Sequence, residues 1–177
     1  FLTGLTYFRE KFGARPTTAY NFDPFGHPEG FQQVLAGCGM DSYIFCRPDY
    51  GTYELPLGGF RWRDRSGAEV ITRRSDDHYL HRPPIGAKLD EWLKHFENEN
   101  ETMILWGIGN HGGGVTRKDY TDLQAYIKAH PEYDWCHSTP EAFFKQLKRK
   151  RARLPVVRGE IQKSFAGCYT SLSRVKR

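Results

Sequence analysis

The 177-residue sequence has no run approaching the roughly 18 apolar residues of a membrane-crossing helix, which excludes a chain that spans a bilayer by helices. It also lacks any Cys-x-x-Cys spacing. Its four cysteines stand at 38, 46, 136 and 168, which excludes a zinc knuckle or a dithiol redox motif. A chain of this size with this many core-forming residues does not need a disulfide framework. Cys46, within Tyr43-Ile44-Phe45-Cys46, reads as a buried reduced thiol. There is no initiator methionine and no signal peptide. The chain opens on Phe1-Leu2-Thr3-Gly4 and closes on Arg174-Val175-Lys176-Arg177, so both ends read as cut rather than natural, and a cytoplasmic location is the expectation.

What is present is globular material. Aromatic residues make up 15% of the chain, and burying them offsets the ordering entropy that keeps polar chains disordered. The net charge of +5 invites a nucleic-acid reading, but its distribution argues otherwise. Residues 1–144 carry 15 basic and 20 acidic residues, whereas residues 145–177 carry 11 basic residues and Glu160 alone. This is an acidic body with a basic tail. The stretch Lys145–Arg153 could contact phosphates, or it is the solvated end of a helix where cations favour the dipole. No motif that reads DNA or RNA accompanies it, so neither a nucleic-acid nor a membrane partner is expected.

Local signals alternate between the two periods. Leu2–Phe12 reads as a helix stopped by Gly13, 16–22 as a strand, 23–28 as a loop, 29–38 as a helix and 42–47 as a strand ended by Pro48. The segments 60–62 and 68–72 flank Asp64-Arg65-Ser66-Gly67 as a hairpin. Residues 88–98 form an amphipathic helix with Leu89, Trp92, Leu93 and Phe96 on one face. The apolar run 102–108 reads as a strand buried on both faces. Thr116 with Asp119 is a capping box for a helix to about residue 129. Residues 133–137 read as a short strand, and Thr139-Pro140-Glu141 opens another helix. The order β-α-β, hairpin, α-β-α-β-α predicts an α/β layer or barrel built on a parallel sheet.

In such folds chemistry lies at the C-terminal ends of the strands. Asp23, Arg47, Asp76 and Asn110-His111 each follow a predicted strand, which would put two carboxylates, a guanidinium and an imidazole on one rim. Asp23 can act there as nucleophile, base or metal ligand, or it serves an Asx turn. Arg47 can clamp a hydroxyl or carboxylate, or it forms a rim ion pair. Asp76-Asp77 beside Arg73-Arg74 reads first as a solvated charge cluster. His27 reads as a packed or capping histidine ahead of a ligand. The run Gly107-Ile108-Gly109-Asn110-His111-Gly112-Gly113-Gly114 formally matches a dinucleotide-loop pattern. It lacks the acidic residue some 20 positions on and the Lys-Ser/Thr of a P-loop, so it suits a polyol or metal site better.

Two motifs in order carry a specific resemblance. Asn21-Phe22-Asp23-Pro24-Phe25-Gly26-His27, with Gly39 and Phe45-Cys46-Arg47-Pro48, resembles the core of family 38 glycoside hydrolases, the retaining α-mannosidases. Trp106 to Gly114 followed by Arg117-Lys118-Asp119 resembles the bacterial branch of that family, and Gly159-Glu160 with Gly167-Cys168-Tyr169-Thr170-Ser171 resembles the stretch after the barrel. The resemblance covers essentially the whole chain. It implies part of a (β/α)7 barrel of the glycoside hydrolase/deacetylase type, with 1–144 in the barrel and 145–177 a basic connection toward a helical region. It implies hydrolysis of terminal α-mannosyl residues of oligosaccharides, with zinc holding vicinal hydroxyls and Asp23 as both nucleophile and metal ligand. Phe25 and Arg47 would line the pocket, with Asp76 a further carboxylate. Asn110 and His111 stand where other branches carry aspartates, including the acid/base, so His111 is either that group or a substrate contact. Phe165 stands where some relatives stack a tryptophan on the sugar. The family's His-x-Asp zinc-ligand pair does not occur in this sequence, nor does its later His-Asp motif. The remaining ligands are thus expected elsewhere in the same polypeptide, and the isolated fragment is expected to be inactive. Homo-oligomerisation stays open, as does a non-catalytic, carbohydrate-binding or structural fragment.

Overall fold

The computed structural model describes residues 1–75, 79, 84–107, 113–163, 165, 167–172 and 174–175. Its elements are α1 (Leu2–Phe12), β1 (Thr18–Asn21), β2 (Gly26–His27), α2 (Phe31–Gly37), β3 (Ser42–Phe45), β4 (Phe60–Arg63) and β5 (Glu69–Arg74). There follow α3 (Ile85–His95), α4 (Arg117–Ala129), α5 (Pro140–Arg149), a 3₁₀ turn at Arg151–Arg153, β6 (Val156–Arg158), β7 (Ile161–Gln162) and the short α6 (Gly167–Thr170).

Five strands form one sheet in the order β1-β3-β5-β4-β6. β1, β3 and β5 run parallel, with Asn21 opposite Phe45 and Phe45 opposite Arg74. β4 returns antiparallel to β5, and β6 lies parallel to β4. The hairpin turn is built as its sequence demands. Asp64 Oδ1 accepts from Ser66 Oγ (2.7 Å) and from the Ala68 N–H (3.0 Å), and Gly67 takes φ 90°. β2 and β7 make a separate two-stranded antiparallel ladder that joins His27 to Ile161.

All four residues of β3 are buried, because both sheet faces are covered. Strand alternation sends Tyr43, Phe45, Trp62 and Val70 to one cluster with Leu35 of α2, and Ile44 and Ile71 to another with Phe143, Phe144 and Leu147 of α5. A third cluster joins Ile85 and Leu89 of α3 to Leu123 of α4.

The helix boundaries follow local chemistry. Gly13 adopts φ 61° and its N–H caps α1. Thr116 and Asp119 form a reciprocal capping box on α4, and Thr139 Oγ1 accepts from the Ala142 N–H at the start of α5. No two of the four cysteines form a disulfide with each other, and Cys46 is buried.

Three expectations are corrected. The sheet is open and mixed rather than a closed or wholly parallel barrel wall, because β4 occupies the edge of β5 that a further parallel strand would need. The described part of the apolar run, residues 102–107, is not a strand. Thr102 instead accepts from buried Arg73 Nη2 (2.9 Å), and Ile104 and Trp106 pack on the α3–α4 cluster. Residues 133–137 form a turn and irregular chain, held by Trp135 Nε1 donating to the His130 carbonyl (2.7 Å) rather than by a ladder.

The start of the basic tail folds back onto the acidic body. Lys148 pairs with Asp41 (2.5 Å), Lys150 with Glu101 (3.0 Å) and Arg151 with Glu69 (2.6 Å). Burial opposes the ionisation of Glu69, but hydrogen bonds from Arg151 and Arg63 hold its carboxyl below the usual range. Phe144, fully buried between α5 and the sheet, carries much of this packing. Phe144→Ala is expected to cost about 3–5 kcal/mol in equilibrium denaturation, against less than about 0.5 kcal/mol for exposed Lys145→Ala.

Candidate functional site

The parallel register of β1, β3 and β5 brings three strand ends to one edge of the sheet. Asp23 lies two residues beyond the end of β1 and Arg47 two residues beyond the end of β3, so they meet. Arg47 Nε donates to Asp23 Oδ1. The same guanidinium reaches Asp49 Oδ2 through Nη1 at 3.2 Å. Arg47 is about three-quarters buried, whereas the Asp23 and Asp49 carboxyls are more than half exposed. The hydrogen bond it donates to Asp23 is the main cause that raises the Arg47 guanidinium further above its already high range, so it is a permanent cation here.

The β2–β7 ladder makes the second approach. It brings the chain around 162 against the chain around 26, where Gln162 Nε2 donates to the Phe25 carbonyl at 3.5 Å. A Cβ on Gly26 would meet the terminal amide of Gln162, so a larger residue there would displace that flexible side-chain end. The ladder sets the Phe25 ring 4.9 Å from that of Phe165, centroid to centroid. Phe165 is 64% exposed and takes φ 53°, a left-handed conformation uncommon for an aromatic residue. Of the residues singled out from the sequence, four thus form two contacting pairs: Asp23 with Arg47, and Phe25 with Phe165. Asp76, Asn110 and His111 lie outside the described residues.

His27 is packed, not a ligand. It is 1% exposed, and both ring nitrogens are engaged. Nε2 lies 2.7 Å from the Arg47 carbonyl, and Nδ1 lies 2.7 Å from the Tyr43 hydroxyl. A carbonyl only accepts, so Nε2 carries the proton and Tyr43 donates to Nδ1. Burial pushes the imidazole down to about 4, against the raising effect of the Arg47 carbonyl.

Two residues of this region were not singled out in the sequence. Asp49 was hidden because a carboxylate in a Pro-containing loop reads as turn chemistry. Arg74 was assigned to a solvated charge cluster with Arg73, yet both arginines are fully buried. Adjacent strand residues point to opposite faces. Arg73 goes to the α5 side, its guanidinium carbon 5.7 Å from the Phe143 centroid, while Arg74 lies 3.8 Å from the Tyr50 centroid.

Zinc takes about four ligands, at least three of them protein side chains in a catalytic site. Among the described residues, no group of three or more His, Cys, Asp or Glu side chains could hold a metal ion. Asp23 faces the Arg47 guanidinium. The described residues therefore do not make the zinc site that the resemblance implies.

Because His27 is depressed when folded and ordinary when unfolded, it costs nothing above pH ~6.5, and stability falls as pH drops from about 6.5 to 4. The loss levels off at roughly 3 kcal/mol. Urea unfolding across that range checks this, and His27→Gln should flatten the fall.

The glycosyl hydrolases family 38 N-terminal domain model matches residues 1–163. Alpha-mannosidase G of Dictyostelium discoideum is 29% identical over 192 aligned residues, which take in 100% of this chain and 17% of that protein. The crystal structure of an alpha-mannosidase from Enterococcus faecalis V583 shares the fold with a TM-score of 0.68 at 19% identity, over 86% of this chain and 19% of that one. The chain thus spans less than a fifth of the length of either relative. With its family model covering nearly the whole sequence, the chain belongs to glycosyl hydrolase family 38, as part of the N-terminal domain.

Proposed function

We propose that this chain supplies part of the catalytic domain of a retaining exo-α-mannosidase, with Asp23 as the nucleophile. The observation that carries the reading is the Asp23–Arg47 pair at the C-terminal edge of the parallel strands, with half-buried Phe25, two residues along the chain, against exposed Phe165. Family membership and the two alpha-mannosidases named above support an α-mannoside as the substrate class; a terminal α-mannosyl residue of an oligosaccharide is the substrate proposed.

The chemistry proceeds in two steps. An Asp23 carboxylate oxygen attacks the anomeric carbon as the glycosidic C–O bond breaks, and a general acid protonates the leaving oxygen. This forms a glycosyl ester. Water then attacks the same carbon, loses its proton to the now basic partner, and releases mannose with the carboxylate restored. Two inversions leave the anomeric configuration unchanged. Arg47 holds the attacking carboxylate in orientation through its Nε donor, so that less of the barrier goes to aligning it. The rings of Phe25 and Phe165 offer an apolar surface for a sugar face, where burial of C–H groups favours binding. His111 is proposed as the acid/base or a substrate contact, and Asn110 and Asp76 as polar contacts around the bound sugar. The metal requirement of the family needs ligands beyond the described residues. Asp23 is the one ligand proposed from this chain, with residues 1–144 as its share of the catalytic body and 145–177 as the connection out of it.

In the full-length protein, Asp23→Asn should lower turnover of an α-mannoside at least about 10⁴-fold and abolish covalent labelling by a mannosyl inactivator. Retained labelling would contradict the nucleophile assignment. The isolated 177-residue chain should show no stoichiometric zinc uptake by calorimetry and no mannosidase activity, since the described residues hold no group of ligands around Asp23. One zinc per chain with activity would overturn that view.

A further inference from the structure

The segment after β3 is gripped from beneath by two buried side chains that never reach the rim. His27 on β2 donates from Nε2 to the Arg47 carbonyl at 2.7 Å. Arg74, the last residue of β5, donates from Nη1 to the carbonyls of Pro48 (3.0 Å), Asp49 (3.3 Å) and Tyr53 (2.7 Å). Its guanidinium also lies 3.8 Å from the centroid of Tyr50, in the same segment. The chain from 47 to 53 therefore wraps around one buried cation, and the N–H groups of Thr52 and Tyr53 close the turn onto the Asp49 carbonyl. The two side chains this segment sends to the rim, Arg47 and Asp49, are those that meet the Asp23 cluster.

A buried arginine is costly to desolvate, and a cluster of carbonyl acceptors with an aromatic face is what offsets that cost. We propose that Arg74 is a positioning residue for the glycosidase site. It would hold the backbone of 47–53 so that the Arg47 guanidinium meets Asp23, with His27 fixing the first carbonyl of the same segment. The inference rests on the proposed role of Asp23 as nucleophile. It adds a buried residue that would act on Asp23 through Arg47.

Arginine is specifically suited to this place. Its planar guanidinium lies on the Tyr50 ring while its Nη1 serves the three carbonyls, whereas lysine keeps the charge as a single point without the stacking plane. Arg74→Lys therefore preserves the charge and removes the geometry.

The test is a double-mutant cycle in the full-length protein, reading the rate constant of covalent labelling by a mannosyl inactivator. Arg74→Lys in the wild-type background should slow labelling about 10- to 100-fold. In an Arg47→Ala background the same change should alter the rate less than about twofold, because the positioned group is already gone. Tyr50→Leu removes the stacking face and leaves Arg74 intact, and should give a smaller slowing that also vanishes with Arg47→Ala. It keeps the cycle usable if Arg74→Lys folds poorly. Equal slowing in both backgrounds, or no slowing in either, would overturn the positioning role. Asp23→Asn run alongside separates the two readings. If that variant still labels, the nucleophile assignment fails. If it does not, while Arg74 and Tyr50 act independently of Arg47, only the positioning role fails.

Discussion

The parallel pairing of β1, β3 and β5 is the constraint on which the candidate site depends. Parallel strands in register end together, so whatever follows each of them is delivered to one edge. Asn21, Phe45 and Arg74 lie side by side across the three strands. Two residues further on, Asp23 and Arg47 are close enough to pair, although 24 residues separate them in the chain. A slip of one residue in β3 would turn Arg47 toward the opposite face and bury the wrong half of Tyr43-Ile44-Phe45. The two cores enforce the register, since Tyr43 and Phe45 fill one and Ile44 the other. Hydrophobic alternation in a four-residue strand thus decides where the Arg47 guanidinium points.

Beneath that edge lies a layer of buried polar groups. His27 and Arg74 act on the chain that carries the rim residues, through one ring nitrogen and a guanidinium, and the Tyr43 hydroxyl holds the other ring nitrogen of His27. Such groups are expensive unless satisfied, and once satisfied they fix one arrangement. The neutral state of His27 belongs to this economy, since a charged imidazole would need both nitrogens to donate, and the Tyr43 hydroxyl would then have to accept.

Elements with local signals were legible in the sequence. The helices around Gly13, Thr116 and Thr139 begin or end at the residues whose capping chemistry marks them. The hairpin around Asp64–Gly67 follows from turn residues, and the rim position of Asp23 and Arg47 follows from strand ends. What was not legible depends on distant partners. β2 is two residues long and exists only because Ile161–Gln162 come back to it. The apolar run from 102 has strand composition but no strand beside it among the described residues, and composition cannot report that. Arg73 and Arg74 looked solvated because consecutive charges usually are. Their burial depends on the Phe143 ring on one face, and on Tyr50 and a wrapped loop on the other. The tail read as a free basic segment, yet its first cations pair with Asp41, Glu101 and Glu69, which no local pattern links to them.

The account stands or falls on the chemical role of Asp23. The most direct measurement is mass-spectrometric mapping of the residue esterified when the full-length protein is trapped with a slow mannosyl inactivator. The account predicts a single mannosyl adduct on Asp23, within the peptide that contains Phe22 and Pro24. An adduct on any other carboxylate, or turnover of an α-mannoside with no covalent intermediate, would contradict it.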